Sequence, residues 1–108
     1  MKWSQVRPLA EAGKVVLVDG RSRKAFDYGH IPGAVWLAPG NPADVQAFVA
    51  KYPRNTTFVA YCSSETCHVS QYLAEQLART GGFSNVFVMP GGYAEYLVST
   101  RPQTKANP

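Results

Sequence analysis

The feature that most constrains the fold is an alternation of short apolar runs with segments typical of helices. The runs VVLVD, AVWLA, TFVAY and NVFVM have the length of strands and occupy residues 15–19, 34–38, 57–61 and 85–89. The segments around them predict helices over residues 4–12, 24–28, 44–51, 69–80 and 93–97. Strands that alternate with helices predict a three-layer α/β fold. We expect a mostly parallel sheet of about four to five strands, with helices on both faces.

The length and composition of the chain indicate one globular domain. The chain has 108 residues, of which 45% are hydrophobic, and this is enough to bury a core in a single domain. We expect residues 1–100 to form that domain and residues 101–108 to be a polar tail. No apolar run approaches the roughly 20 residues of a membrane span. No apolar leader is visible near the first residues either, so we expect a cytoplasmic location.

The charge balance favours small anionic ligands over nucleic acid. The formal net charge is +4, and the basic residues are spread along the chain, apart from a cluster at Arg21, Arg23 and Lys24. A nucleic-acid-binding surface would need a basic stripe or repeated basic segments, which the sequence lacks. We therefore predict no nucleic-acid partner.

The two cysteines favour neither a structural disulfide nor a metal site. Cys62 and Cys67 are five positions apart, and a disulfide across so short a loop has restrictive geometry and a small entropic gain. Adding His68 and His30 would give four zinc ligands, but their spacing matches no finger pattern. We predict no metal and no cofactor, and we expect a reducing compartment.

Cys62 is nevertheless well placed for thiol chemistry. It follows a predicted buried strand, and a short polar loop then leads into a helix. Such a loop tends to direct backbone N–H groups inward, where they stabilise a thiolate. Lowering the pKa of a thiol by about two units needs about 2.7 kcal/mol, which two charge-assisted hydrogen bonds supply. The alternative is that Cys62 is an ordinary buried cysteine at a strand end.

Four segments, in order along the chain, carry a family resemblance. They are LVDGR at 17–21, FDYGHIPGAV at 26–35, VAYC at 59–62 and NVFVMPGGYAEY at 85–96. Together they resemble a single-domain rhodanese, a family of sulfurtransferases. The sequence GHIPGA, followed about thirty residues later by a cysteine at a strand end, is the specific part of the resemblance.

The resemblance implies a persulfide mechanism. Cys62 would attack the outer sulfur of a small donor and pass that sulfur to a thiol or protein acceptor. The substrate-binding loop would consist of Ser63, Ser64, Glu65, Thr66, Cys67 and His68. In support of the site, Asp19 and Arg21 would form a buried pair and His30 would orient the loop before Pro32.

Some positions depart from the family pattern. Cys67 stands where the family commonly has Arg, and Glu65 makes the loop acidic, which disfavours dianionic thiosulfate. A related phosphatase loop needs Arg six positions after the cysteine, where this chain has His68. We expect His68 to cap the following helix rather than to transfer protons.

Two other functions stay open from the sequence. In the first, the protein is a thiol redox protein in which Cys67 is the resolving thiol and a Cys62–Cys67 disulfide forms and breaks. In the second, it is a rhodanese-like module that only binds a partner, although such modules usually lack the cysteine.

Overall fold

The computed structural model describes residues 1–64 and 66–100. Glu65 and the proposed tail at 101–108 lie outside the described residues, so the predictions made for them stay predictions. The elements, in chain order, are α1 Trp3–Glu11, β1 Val16–Asp19, α2 Arg23–Tyr28, β2 Val35–Trp36, α3 Pro42–Val49, β3 Phe58–Tyr61, α4 Val69–Arg79, β4 Val86–Met89 and α5 Gly92–Ser99. Each predicted element is present, with ends that differ by up to a few residues.

The four strands of the described residues form one parallel sheet in the order β2-β1-β3-β4. All four residues of β3 are buried, as expected for a central strand with helices on both faces. The register pairs Asp19 at the end of β1 with Tyr61 at the end of β3, and Tyr61 with Met89 at the end of β4. The predicted α/β class and parallel sheet are therefore confirmed, with four strands.

Two apolar cores lie on opposite faces of the sheet, because side chains alternate along each strand. On one face, Phe58 and Ala60 of β3 pack with side chains of α3 and α4. On the other face, Val59 and Tyr61 pack with Val6 of α1, and α5 covers the same core. The carboxyl ends of β1, β3 and β4 thus meet at one edge, where ligands bind in open parallel sheets.

Candidate active site

Cys62 is the first residue after β3, and the first turn of α5 holds its backbone in place. Its carbonyl oxygen accepts a hydrogen bond of 2.8 Å from the N–H of Tyr93, and the carbonyl of Ser63 accepts one of 2.9 Å from the N–H of Ala94. The peptide bonds that follow Cys62 and Ser63 are trans, so the N–H groups of Ser63 and Ser64 point away from α5. The start of α5 therefore fixes the orientation of the first two peptides of the loop.

Gly92 makes this close approach possible. It is buried at the start of α5 and has a φ of 60°, a backbone conformation that side chains with a Cβ rarely adopt. A Cβ at this position would collide with the carbonyl oxygen of Cys62 and lie 3.0 Å from the carbonyl carbon of Ser63. The first position of α5 therefore requires glycine for two independent reasons.

Asp19 and Arg21 form a buried ion pair beneath the loop. Asp19 is 0% exposed, and Nη2 of Arg21 lies 2.8 Å from its Oδ2. Asp19 also accepts hydrogen bonds from the backbone N–H of Arg21 at 2.9 Å and from the hydroxyl of Tyr61 at 2.8 Å. The carboxylate thus has donors on several sides, which offsets the cost of burying its charge.

These contacts shift the pKa values of both partners of Asp19. Burial by itself acts to lower the pKa of the Arg21 guanidinium, but the hydrogen bonds and the charge of Asp19 outweigh it, so that pKa is raised. Burial, followed by the hydrogen bond to Asp19, raises the pKa of Tyr61 well above its ordinary value. Tyr61 is therefore a neutral donor and Arg21 a permanent cation throughout the physiological range.

Arg21 connects the floor of the site to the helix that holds the loop. Its guanidinium lies 4.1 Å from the centre of the Tyr93 ring, a cation–π contact, and its Nη2 donates to the carbonyl of Gly29 at 2.6 Å. The backbone N–H of Tyr93 is the one that binds Cys62. A continuous set of contacts therefore runs from Asp19 through Arg21 and Tyr93 to the backbone of Cys62.

His30 lies in the segment between α2 and β2 and has structural partners. Its Nδ1–H donates to the carbonyl of Phe26 at 2.8 Å, and its ring stacks on the ring of Phe26 with centroids 3.7 Å apart. The next backbone N–H, that of Ile31, donates to the hydroxyl of Tyr61 at 3.3 Å. These contacts join the segment that contains His30 to the same buried network.

The loop closes on itself through a disulfide between Cys62 and Cys67, whose Cα atoms are 6.2 Å apart. The expectation that a disulfide is disfavoured here is wrong for this structure. The N–H of Cys67 donates to the carbonyl of Ser64 at 3.0 Å, and this turn brings the two Cα atoms within the usual range for a disulfide. Cys62 is 5% exposed, whereas Cys67 is half-buried.

Three of the other described loop residues carry hydroxyl groups. The hydroxyl of Ser63 lies 3.9 Å from the sulfur of Cys62, and those of Ser64 and Thr66 are 3.0 Å apart. His68 precedes α4 and is exposed, but its side chain makes no capping hydrogen bond among the described residues. The expectation that His68 caps α4 is therefore not met by its side chain.

An open groove of about 640 Å³ adjoins the loop. Its lining includes Ser64 and Thr66 from the loop, Pro90 and Gly91 from the turn after β4, and Glu95 from α5. A smaller cavity of about 360 Å³ lies between α1 and α5 and is not lined by the loop. Of these two cavities, only the first is lined by residues of the loop.

Two residues of this site, Tyr61 and Tyr93, were not predicted to belong to it, whereas Gly92 lies in the Gly-Gly turn of the family resemblance. The signal for Tyr61 was a hydroxyl at the end of a fully buried strand, which must find a partner. Among residues 1–64 and 66–100, no group of three or more His, Cys, Asp or Glu side chains is arranged to hold a metal ion. Within the same residues, no helix has the length and apolarity needed to cross a membrane.

The fold and the cysteine at the end of β3 define a rhodanese-like domain. The family model for the rhodanese-like domain matches residues 3–99, and the chain belongs to this family. Among its relatives is the thiosulfate sulfurtransferase GlpE of Shewanella oneidensis, 32% identical over 95 residues, which are 86% of each chain. The GlpE protein of Pseudomonas syringae pv. syringae is 35% identical over 92% of this chain and 86% of its own. At the level of the family, these relatives support a sulfurtransferase.

The chain is also similar to part of a longer protein and to several solved structures. An HTH-type transcriptional regulator of Mycobacterium tuberculosis is 32% identical over 91% of this chain, which spans 41% of that protein. The crystal structure of the BH2092 protein from Bacillus halodurans superposes with a TM-score of 0.80 at 19% identity, over 92% of this chain and 71% of that one. The rhodanese-like domain of the Alr3790 protein from Anabaena sp. gives 0.72 at 21% identity, over 100% and 85%. These likenesses confirm the fold.

Proposed function

We propose that the protein is a sulfurtransferase that moves a sulfane sulfur from thiosulfate or a thiol persulfide to a thiophilic acceptor through a persulfide on Cys62. The observation that carries the proposal is the position of Cys62. Its backbone is held by α5, which the Asp19–Arg21 pair supports through Tyr93. A nucleophile at the carboxyl end of a central parallel strand, on a rigid support, is positioned for attack on a bound donor.

In the first half-reaction, the thiolate of reduced Cys62 attacks the outer sulfur of the donor. With thiosulfate, a bond forms between the Cys62 sulfur and the outer sulfur, and the S–S bond of thiosulfate breaks. Sulfite leaves with the electron pair of that bond. The Ser63 hydroxyl, 3.9 Å from the Cys62 sulfur, and the N–H groups of Ser63 and Ser64, whose carbonyl partners are bound by α5, are the donors that we expect to stabilise the sulfur anion.

In the second half-reaction, an acceptor thiolate attacks the outer sulfur of the persulfide. The new S–S bond belongs to the acceptor, and Cys62 leaves as a thiolate, which restores the enzyme. The groove of about 640 Å³ beside the loop accommodates a small thiol or an extended segment of a protein acceptor. We place this cycle in the cytoplasm, where thiols keep Cys62 reduced.

The test is intact mass spectrometry after reduction and exposure to thiosulfate. The Cys67→Ser variant should gain one sulfur atom per chain and release one sulfite, whereas the Cys62→Ser variant should do neither. Both variants undergo the same chemical change and neither can form the disulfide, so the comparison isolates the nucleophile. Sulfur on the Cys62→Ser variant, or none on the Cys67→Ser variant with either thiosulfate or a thiol persulfide as donor, would remove Cys62 from the mechanism.

The disulfide in the structure favours a second candidate, a thiol redox protein. Here an oxidant such as a peroxide converts Cys62 to a sulfenic acid, Cys67 displaces water to form the disulfide, and a thiol reduces it. This cycle needs both cysteines and no sulfur donor. Turnover of peroxide with a dithiol reductant, lost in either cysteine variant and faster than sulfite release from thiosulfate, would favour it.

A further inference from the structure

We infer that Cys67 is a built-in sulfur acceptor, which releases the sulfur of the Cys62 persulfide as hydrosulfide when no external acceptor intervenes. This inference rests on the proposed function, because it takes the Cys62 persulfide as its starting point. The reaction would then release inorganic sulfide as its product and would need a dithiol reductant as its second substrate.

The first observation behind this step is that the sulfur of Cys67 can contact the sulfur of Cys62. The structure joins its sulfur to that of Cys62 while β3 and α4 are fully formed on either side of the loop. The loop therefore needs no unfolding of its flanking elements to bring the two sulfur atoms together. A thiol tethered by so short a loop has an effective concentration of about millimolar or more.

The atoms of the step balance without any other reactant. The Cys67 thiolate attacks the inner sulfur of the persulfide, which is the original Cys62 sulfur. The bond between the inner and outer sulfur breaks, and the outer sulfur leaves as hydrosulfide with the electron pair and the persulfide proton. The outer sulfur is reduced to sulfide, the two cysteines are oxidised, and the product is the disulfide that the structure contains.

The difference in burial between the two cysteines decides which sulfur of the disulfide a reducing thiol attacks. The Cys62 sulfur belongs to a residue that is 5% exposed, whereas Cys67 is half-buried. An incoming thiol therefore has easier access to the Cys67 sulfur, and attack there expels Cys62 as the thiolate. A second thiol of the same reductant then frees Cys67. The two thiols of the reductant become a disulfide, which balances the electrons taken up by sulfide.

The inference is tested in a single turnover without an external acceptor. Reduced wild-type protein, freed of reductant and then mixed with excess thiosulfate, should release one hydrosulfide per chain and lose both thiols. Peptide mapping should find the Cys62–Cys67 disulfide. The Cys67→Ser variant should keep the added sulfur at least about ten-fold longer, because only slow bimolecular attack then removes it. The Cys67→Ala variant serves as a second measurement in case serine perturbs the loop.

The outcomes separate this inference from the proposed function. If the wild type keeps its persulfide as long as the two Cys67 variants do, or if those variants release hydrosulfide at the wild-type rate, the resolving role is wrong and the sulfurtransferase stands. If neither Cys67 variant gains sulfur or releases sulfite, the proposed function fails first. The Cys62→Ser variant should release no hydrosulfide, and its release there would overturn both.

Discussion

Replacing Gly92 by alanine should separate the backbone of the Cys62 loop from the start of α5, which holds it in place. The new Cβ would collide with the carbonyl oxygen of Cys62, and Gly92 already has a φ of 60°. The start of α5 and the loop that begins at Cys62 must then move apart. This movement would break the hydrogen bonds from Tyr93 to Cys62 and from Ala94 to Ser63, which are 2.8 and 2.9 Å long.

The magnitude follows from two separate costs. A residue with a Cβ in the left-handed region costs about 1–2 kcal/mol. Two lost backbone hydrogen bonds add about 0.5–1.5 kcal/mol each. We therefore expect the Gly92→Ala variant to lose about 2–5 kcal/mol of unfolding free energy. The rate of persulfide formation on reduced protein should fall as well, because the nucleophile is no longer held.

Gly13 provides a matched control for the conformational cost. It follows α1 with a φ of 72°, and an added Cβ would meet nothing within 4 Å. The Gly13→Ala variant carries the same left-handed penalty and the same change in unfolded-chain entropy, but no collision. Thermal unfolding of the two reduced variants should differ by roughly 5–20 °C in Tm, with Gly92→Ala the lower. Equal Tm values and equal rates of persulfide formation would refute the proposed close approach.

Three further predictions concern the floor of the site and the charge of the loop. The Asp19→Ala variant should lose about 3 kcal/mol or more of stability, because Arg21 keeps a buried charge without its partner; a wild-type Tm with abolished activity would instead make Asp19 catalytic. Tyr61 has a raised pKa in the folded state, so its contribution to stability is complete below about pH 10 and is lost as the pH rises above that value. Urea unfolding between about pH 9 and 11 should therefore show a steeper loss for the wild type than for Tyr61→Phe, and equal slopes would contradict the buried hydrogen bond. The Glu65→Gln variant should raise kcat/KM for thiosulfate several-fold and more at low salt, with little change for a thiol persulfide; equal kcat/KM for thiosulfate at low ionic strength would remove Glu65 from substrate selection.

The strands could be predicted because their residues are apolar almost without interruption. In β3, burial on both faces selects the same residue types at every position, so the run itself marks the strand. The pairing of Asp19 with Arg21 could also be predicted, since the two are separated by one residue at the end of a buried strand. Local patterns of this kind need no knowledge of which strands are neighbours.

The contacts of Tyr61 and Tyr93 could not be predicted, because they depend on register and topology. Tyr61 reaches Asp19 because the two are paired residues on adjacent parallel strands and so lie on the same face of the sheet. Their separation of 42 positions contains no local signal for that register. Likewise, Tyr93 reaches Arg21 and Cys62 only after α5 packs at the carboxyl edge of the sheet.

The disulfide links the structure of the loop to its chemistry. In the oxidised form the Cys62 sulfur is bonded to Cys67, so it has no thiolate electron pair with which to attack a donor. Under the proposed mechanism, the fraction of chains that are reduced would therefore limit sulfur transfer, whatever the rate of the reduced protein. Because Cys67 is the more accessible of the two residues, we expect thiols to restore the reduced form by attack at Cys67. Sulfite released in the first turnover, after the protein is treated with a dithiol and the dithiol is removed, should consequently rise with the dithiol concentration in the wild type and be independent of it in the Cys67→Ser variant. An unchanged first-turnover yield in wild-type protein, shown by mass to start as the disulfide, would mean that the bond does not control activity.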